Sequence, residues 1–330
     1  MIVERKSCLY TVLHIRLIVV PWQPHGNARL LNNIVKEEWI ASMKRRPLVT
    51  AAHKLFLSLS EEIGFAKELI RKTQNEDYDF DIAVCPSFIN LAHVTQILRG
   101  SKIGVGAQNV DQAENGAFTG QISMQDLQGI GVQLVTVGHS ELRAYRVEGH
   151  LEEYPRETNE TVNAKIKICL KYSVVPIACV GETREDRDNG KSREVIERDV
   201  KGMLKDISPD SFRVEDIVIA YEPVWAIKGL KNKDARPASA SEANEMHEFI
   251  REILTRLYGS NVAAKMRIIY GGSVSSENTE ELLKKPSIDG LLIGSASTKI
   301  GSFLDILECA QIAVSEKAPS ANRVLAQIAD

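Results

Sequence analysis

From Pro47 onward, short runs rich in β-branched residues recur between stretches whose apolar positions fall at helical spacing, the rhythm of parallel strands joined by crossover helices. The runs fall at residues 48–51, 81–85, 102–106, 134–138, 174–180, 217–221, 266–270 and 290–293. Eight such units predict a closed (β/α)8 barrel, an α/β fold built as one domain. The competing arrangement, an open doubly wound sheet, would carry a GxGxxG turn after its first strand, and Thr50-Ala51-Ala52-His53-Lys54 has none. Helix starts are read at Ser60-Glu61-Glu62 and Ser241-Glu242-Ala243-Asn244-Glu245.

Several runs end in small or polar residues, and in a closed barrel those ends converge on one face, where groups from different strands share a pocket. The sharpest case is Val218-Ile219-Ala220-Tyr221-Glu222-Pro223-Val224-Trp225-Ala226, an apolar strand that delivers a lone carboxylate into a proline-started loop. A charge at the end of a buried strand is costly unless it faces a cleft. From this segment alone, a catalytic base and a salt-bridged strand-end carboxylate fit Glu222 equally well.

Composition narrows the partners. Hydrophobic residues make up 44% of the 330, enough for a well-formed core, and a net charge of −3 offers no basic footprint for nucleic acid, so none is expected. A small phosphate- or carboxylate-bearing substrate stays open. Five scattered cysteines with no CxxC pair and seven histidines with no ligand spacing predict a reduced, cytoplasmic protein without structural metal. The apolar stretch Leu17–Trp22 is broken upstream by His14 and Arg16, too short to span a bilayer, and has no clean small-x-small cleavage site after it. No membrane association is expected. Residues 1–46 read as an N-terminal extension or a mis-assigned start, with Met43-Lys44-Arg45-Arg46-Pro47 as the natural beginning, 47–310 as the barrel, and 311–330 as a tail.

Six segments in order carry a more specific message: Gly106-Ala107-Gln108-Asn109-Val110, Gly116-Ala117-Phe118-Thr119-Gly120, Val137-Gly138-His139-Ser140-Glu141, Ile177-Ala178-Cys179-Val180-Gly181-Glu182, Ala220-Tyr221-Glu222-Pro223-Val224-Trp225-Ala226-Ile227 and Ile269-Tyr270-Gly271-Gly272-Ser273-Val274. Together they resemble the triosephosphate isomerase family from about Pro47 to Glu308. The resemblance implies an isomerase that interconverts dihydroxyacetone phosphate and glyceraldehyde 3-phosphate without a cofactor, part of glycolysis and gluconeogenesis. Isomerising a phosphorylated α-hydroxy ketone needs a base for a weakly acidic C–H proton and an electrophile for the enediolate charge. By resemblance Glu222 is that base and His139 the electrophile; the family is itself the standard precedent for a glutamate working with an uncharged imidazole, so that division of labour is inherited. The resemblance further implies Lys54 as the charge stabiliser and Glu141 as its partner, with Ser140 and Cys179 in support. It also implies that Thr119 reaches into a partner's site, making a homodimer the expected state. For the phosphate, backbone N–H groups near Ser273, Gly294 and Ser295 are the expected donors, with Gly229 from the lid.

The chain departs from the family pattern in three places. The family's Gly-Asn-x-Lys is Ala51-Ala52-His53-Lys54 here, which removes a substrate-directed amide; His53 should point to the opposite side of the strand. The family's short Gly-Thr-Gly-Lys lid turn becomes a longer segment over residues 228–239. The arginine after His-Ser-Glu is Leu142, so one internal salt bridge of that loop is missing or rebuilt through Arg143. These departures keep two alternatives open: an isomerase of a four-carbon ketose phosphate (a tetrulose phosphate), and a catalytically weakened barrel that only binds phosphate ligands.

Overall fold

The computed structural model describes residues 45–143, 157–227 and 235–317, all within one unit, Arg45–Asp330. Every predicted strand is present to within one residue at each end: β1 Leu48–Ala52, β2 Asp81–Cys85, β3 Ile103–Ala107, β4 Leu134–Val137, β5 Val175–Val180, β6 Val218–Tyr221, β7 Arg267–Tyr270 and β8 Gly290–Ile293. All pair in parallel with their neighbours in sequence, and β8 returns to β1 through Leu48↔Gly290, closing the barrel. The described helices are α1 Leu59–Thr73, α2 Phe88–Leu98, α3 Met124–Ile130, α4 Ser140–Arg143, α5 Asn159–Lys171, α6 Arg184–Asp188, α7 Ser192–Met203, α8 Ala240–Tyr258, α9 Ser260–Ala263, α10 Ser276–Lys284 and α11 Ile300–Lys317.

Two helices begin earlier than the sequence reading placed them. The N-caps are Ser58 and Ser239, because Glu61 and Glu242 stand three residues on and accept the cap N–H groups at 2.8 and 2.9 Å. That reciprocal pairing satisfies donors a helix start otherwise leaves open. The last helix runs through Lys317, past the residue-310 boundary expected for the barrel, with Ala313 and Val314 buried.

Period-two alternation divides the core. Leu48, Ala83, Leu134, Ile177, Cys179, Val218, Ala220, Ile269 and Leu292 fill the barrel interior, and Ala52 packs against them at its C-terminal end. The opposite faces, such as Val49, Val84, Val135 and Ile219, pack against the helices. At the N-terminal end, charges close the barrel floor. Asp289, 4% exposed, pairs with Arg45 at 2.7 Å and Arg251 at 2.5 Å, while Asp81 pairs with Arg46 and Arg267. Arg45 and Arg46, expected to belong to the extension, thus tie directly to the barrel.

Candidate active site

At the opposite, C-terminal end, the expected residues meet. Glu222 follows β6 by one residue and keeps the inward register of Val218 and Ala220, so its side chain enters the barrel mouth. Its backbone is fixed by Glu222 N–H donating to Val180 O at 2.8 Å. The strand ends approach so closely that a Cβ on Gly181 would lie 1.7 Å from the Glu222 carbonyl oxygen, which explains the glycine there. The carboxylate is 2% exposed; Oε2 accepts the Ser140 N–H at 3.0 Å, and Oε1 lies 2.8 Å from His139 Nε2.

His139 reaches that point through a turn at Gly138, whose φ of +69° favours glycine and where a Cβ would crowd Arg143 and Val162 at 2.9 Å. The Glu141 N–H donates to His139 Nδ1 at 3.2 Å, so Nδ1 presents its lone pair and the ring proton sits on Nε2, facing Glu222. Burial works to lower the His139 pKa, but the adjacent Glu222 carboxylate outweighs it and holds the value above that of a free imidazole. Burial works to raise Glu222, but His139 and the Ser140 N–H outweigh it and hold the carboxyl below its usual range. The two groups stabilise one another's charge while they touch.

Lys54 and Glu141 stand beside this pair. Lys54 Nζ donates to Glu141 Oε1 at 2.6 Å, and its side chain lies over Gly294, where an added Cβ would come within 3.7 Å of Cε. The cation from the β1 loop thus spans toward the β8 loop. Ser295, just after Gly294, is exposed; Ser273 donates its hydroxyl to Ala226 O at 3.0 Å, tying the β7 loop to the segment after Glu222. Cys179 is fully buried inside the barrel near Glu222, and burial pushes its thiol pKa well above the ordinary value. Thr119 is exposed in the β3 loop beside Phe118, itself 52% exposed. Gly229 lies outside the described residues.

Arg143 answers the question left by Leu142. It donates to Gly138 O, Asn159 Oδ1 and Cys179 O at 2.9, 2.8 and 3.3 Å, so it braces the His139 loop through neutral acceptors. His53 points away from the barrel interior, as expected, edge-on against Phe65 of α1. Sequence reasoning gave no role to Gln108, whose amide donates to Lys54 O and Cys85 O at 2.9 and 3.1 Å. Nor did it assign Glu182, fully buried, which accepts from Tyr221 Oη at 3.0 Å and Trp225 Nε1 at 2.8 Å directly behind Glu222. Both stand inside recognisable motifs, but their partners lie 23 to 54 residues away and only folding brings them together.

A closed parallel barrel that brings a carboxylate, an imidazole and an ammonium group together at its C-terminal mouth has the parts of a barrel enzyme that moves protons next to a polarised oxygen. Within that class, the family model "Triosephosphate isomerase" matches residues 47–310. Proteins named triosephosphate isomerase are similar over 80% of this chain: one from Carboxydothermus hydrogenoformans at 42% identity across 98% of its own length, one from Citrifermentans bemidjiense at 40% across 98%, and one from Dictyoglomus thermophilum at 39% across 99%. The chain belongs to the triosephosphate isomerase family.

Proposed function

We propose that this chain interconverts dihydroxyacetone phosphate and glyceraldehyde 3-phosphate through an enediolate. The observation that carries the reading is the meeting of Glu222 Oε1 and His139 Nε2 at 2.8 Å in a buried mouth, flanked by Lys54. Glu222 takes a proton from the carbon next to the carbonyl and returns it to the neighbouring carbon. His139 donates Nε2–H to the oxygen that gains charge, and Lys54 adds a positive field to the same oxygens and to the anionic substrate. At 2.8 Å no substrate fits between base and electrophile, so Glu222 turns away from His139 to engage the substrate. That movement removes the main influence raising the His139 pKa, leaving burial, which lowers it. A neutral imidazole then remains as the hydrogen-bond donor.

Backbone N–H groups around Ser273 and Gly294-Ser295 are the proposed phosphate donors, in keeping with a site at the loops after the seventh and eighth strands. Exposed Leu55 (91%) and Phe56 (60%) after β1, Ile89 (85%) in the first turn of α2 and Phe118 (52%) in the loop after β3 support a homodimer built on this edge, with Thr119 beside Phe118. Among the described residues no helix is long and apolar enough to cross a membrane. A coupled assay supplying each triose phosphate in turn tests the reading: interconversion in both directions is expected, and binding without turnover would replace it with the phosphate-binding alternative.

A further inference from the structure

The turn that presents Lys54 has one buried side chain of its own, His53. Within the chain Leu55 and Phe56 of this turn are 91% and 60% exposed and Lys54 extends to Glu141, whereas His53 is 1% exposed. Lys54 itself adopts φ +50°, a left-handed conformation uncommon for a residue with a Cβ, which persists only when its surroundings enforce it. Backbone ties supply part of that constraint: His53 N–H donates to Cys85 O at 3.1 Å, and Phe56 N–H to His53 O at 3.1 Å. Gln108 adds its amide, which donates to Lys54 O at 2.9 Å, and the His53 imidazole adds a packed contact. The imidazole lies 4.5 Å from the Phe65 ring by centroids, with Nδ1 3.6 Å from Glu62 Oε1.

Glu62 is as buried as His53, at 1%, and its Oε1 accepts the Ser87 N–H at 3.1 Å at the start of α2. One carboxylate therefore joins the turn after β1 to the turn after β2. Both ring nitrogens of His53, Glu62 Oε2 and Asn90 Oδ1 are inaccessible and lack a hydrogen-bond partner. The aromatic neighbour of the pair is Phe65 on α1, itself backed by Phe303 of α11. The nearest cation in sequence, Lys54, is directed to Glu141. For packing alone, an apolar pair of similar volume would serve as well as a buried imidazole and carboxylate.

We propose that His53 and Glu62 are a positioning pair: they fix the backbone of the turn so that the Lys54 ammonium meets the anionic substrate in register with His139 and Glu222. The proposal rests on Lys54 being the substrate-contacting cation. Lys54 would hold the anion in the ground state as well as the transition state, so displacing it raises KM, whereas a smaller folded fraction lowers apparent kcat and leaves KM alone.

The test uses full-length His53→Phe, Glu62→Gln and His53→Gln, with Lys54→Ala as reference, in steady-state kinetics on glyceraldehyde 3-phosphate alongside thermal melts. KM is expected to rise roughly tenfold in His53→Phe and Glu62→Gln, and to recover partly in His53→Gln, which keeps a donor toward Glu62. Wild-type KM in His53→Phe and Glu62→Gln overturns the proposal even if both melt early. Should His53→Phe not fold, Glu62→Gln retains an acceptor for Ser87 and decides alone. Lys54→Ala separates the two levels: a wild-type KM there rejects the reading of Lys54, and with it the pair's role, while a raised KM there with unchanged pair variants rejects only the pair.

Discussion

Glu222 and His139 hold each other in the barrel mouth, with Oε1 2.8 Å from Nε2. Each sits where burial opposes its charged form, and each is kept charged-compatible by the other. Retracting the carboxylate by one methylene in Glu222→Asp is expected to lower kcat by about 100-fold with little change in KM, since an error of ~1 Å at the reacting atoms can cost that much. Steady-state kinetics on glyceraldehyde 3-phosphate check it; wild-type turnover would remove Glu222 as the base. Ala52 is the second informative residue, because it packs at the mouth end of the barrel interior, on the face that looks into the site. Ala52→Asn is expected to raise kcat/KM for the triose phosphate by about tenfold, equivalent to ~1.4 kcal/mol. A fall on the triose phosphate, with wild-type activity on a tetrulose phosphate exceeding it, would move the assignment to the longer substrate.

Among the elements, the N-terminus of α8 does more than start a helix. Glu242 completes the Ser239 capping box, pairs with Arg187 of α6 at 2.7 Å, and accepts two bonds from Arg236 at 2.8 and 2.7 Å. Arg187 and Arg236 in turn stack on Trp225, at 4.0 and 5.2 Å from the ring centroid. The Ser239-to-Glu242 capping box is a local pattern, yet the sequence reading starts the helix two residues later, at Ser241; the cluster has no local pattern at all, since Arg187 and Arg236 reach Trp225 only through the barrel's closure. Arg236, helped by the Ser239 bonds and against the opposing effect of burial, brings the Glu242 carboxyl down to about 2 from 4.5. A depressed carboxyl contributes stability that is complete above pH 4.5 and lost as pH falls toward about 2. Arg236→Ala is expected to reduce that acid-labile part and to cost about 1 kcal/mol near neutrality, read from urea unfolding at several pH values. An unchanged profile would show that the guanidinium is not what holds Glu242 down.

For the molecule as a whole, acid sensitivity should begin earlier, at His247. Burial pushes this fully enclosed imidazole down to about 4 from 6.5, with Nδ1 3.1 Å from Ser287 O. The unfolded chain then binds a proton that the folded one refuses, so stability complete above pH 6.5 is lost as pH falls toward about 4. His247→Phe should flatten the melting temperature across that window; a slope like the wild type's would assign the sensitivity elsewhere. The barrel floor makes a separate prediction. Removing residues 1–42 is expected to leave the melting temperature and kcat/KM nearly unchanged, while Arg45→Ala lowers the melting temperature, because it strands part of the Asp289 charge at the barrel floor. Loss of activity on removing residues 1–42 would give the extension a part in the fold or the dimer.

The sequence by itself determined the strand count and the closed parallel order, because both are written locally in β-branched runs and helix starts; it singled out Glu222, His139 and Lys54 only through the family resemblance added to polar residues at strand ends. It placed His53 outside the barrel by alternation alone. Tertiary structure decided what no local signal holds. The pairing of Glu222 with His139 instead of a cation, the use of Arg143 in place of an arginine at position 142, the support from Gln108 and Glu182, and the burial of Glu62 against His53 all join residues from different strands or helices. Period and propensity fix which way a side chain leaves its own element; only closure of the barrel fixes what it meets, and burial then decides which charges must be shared.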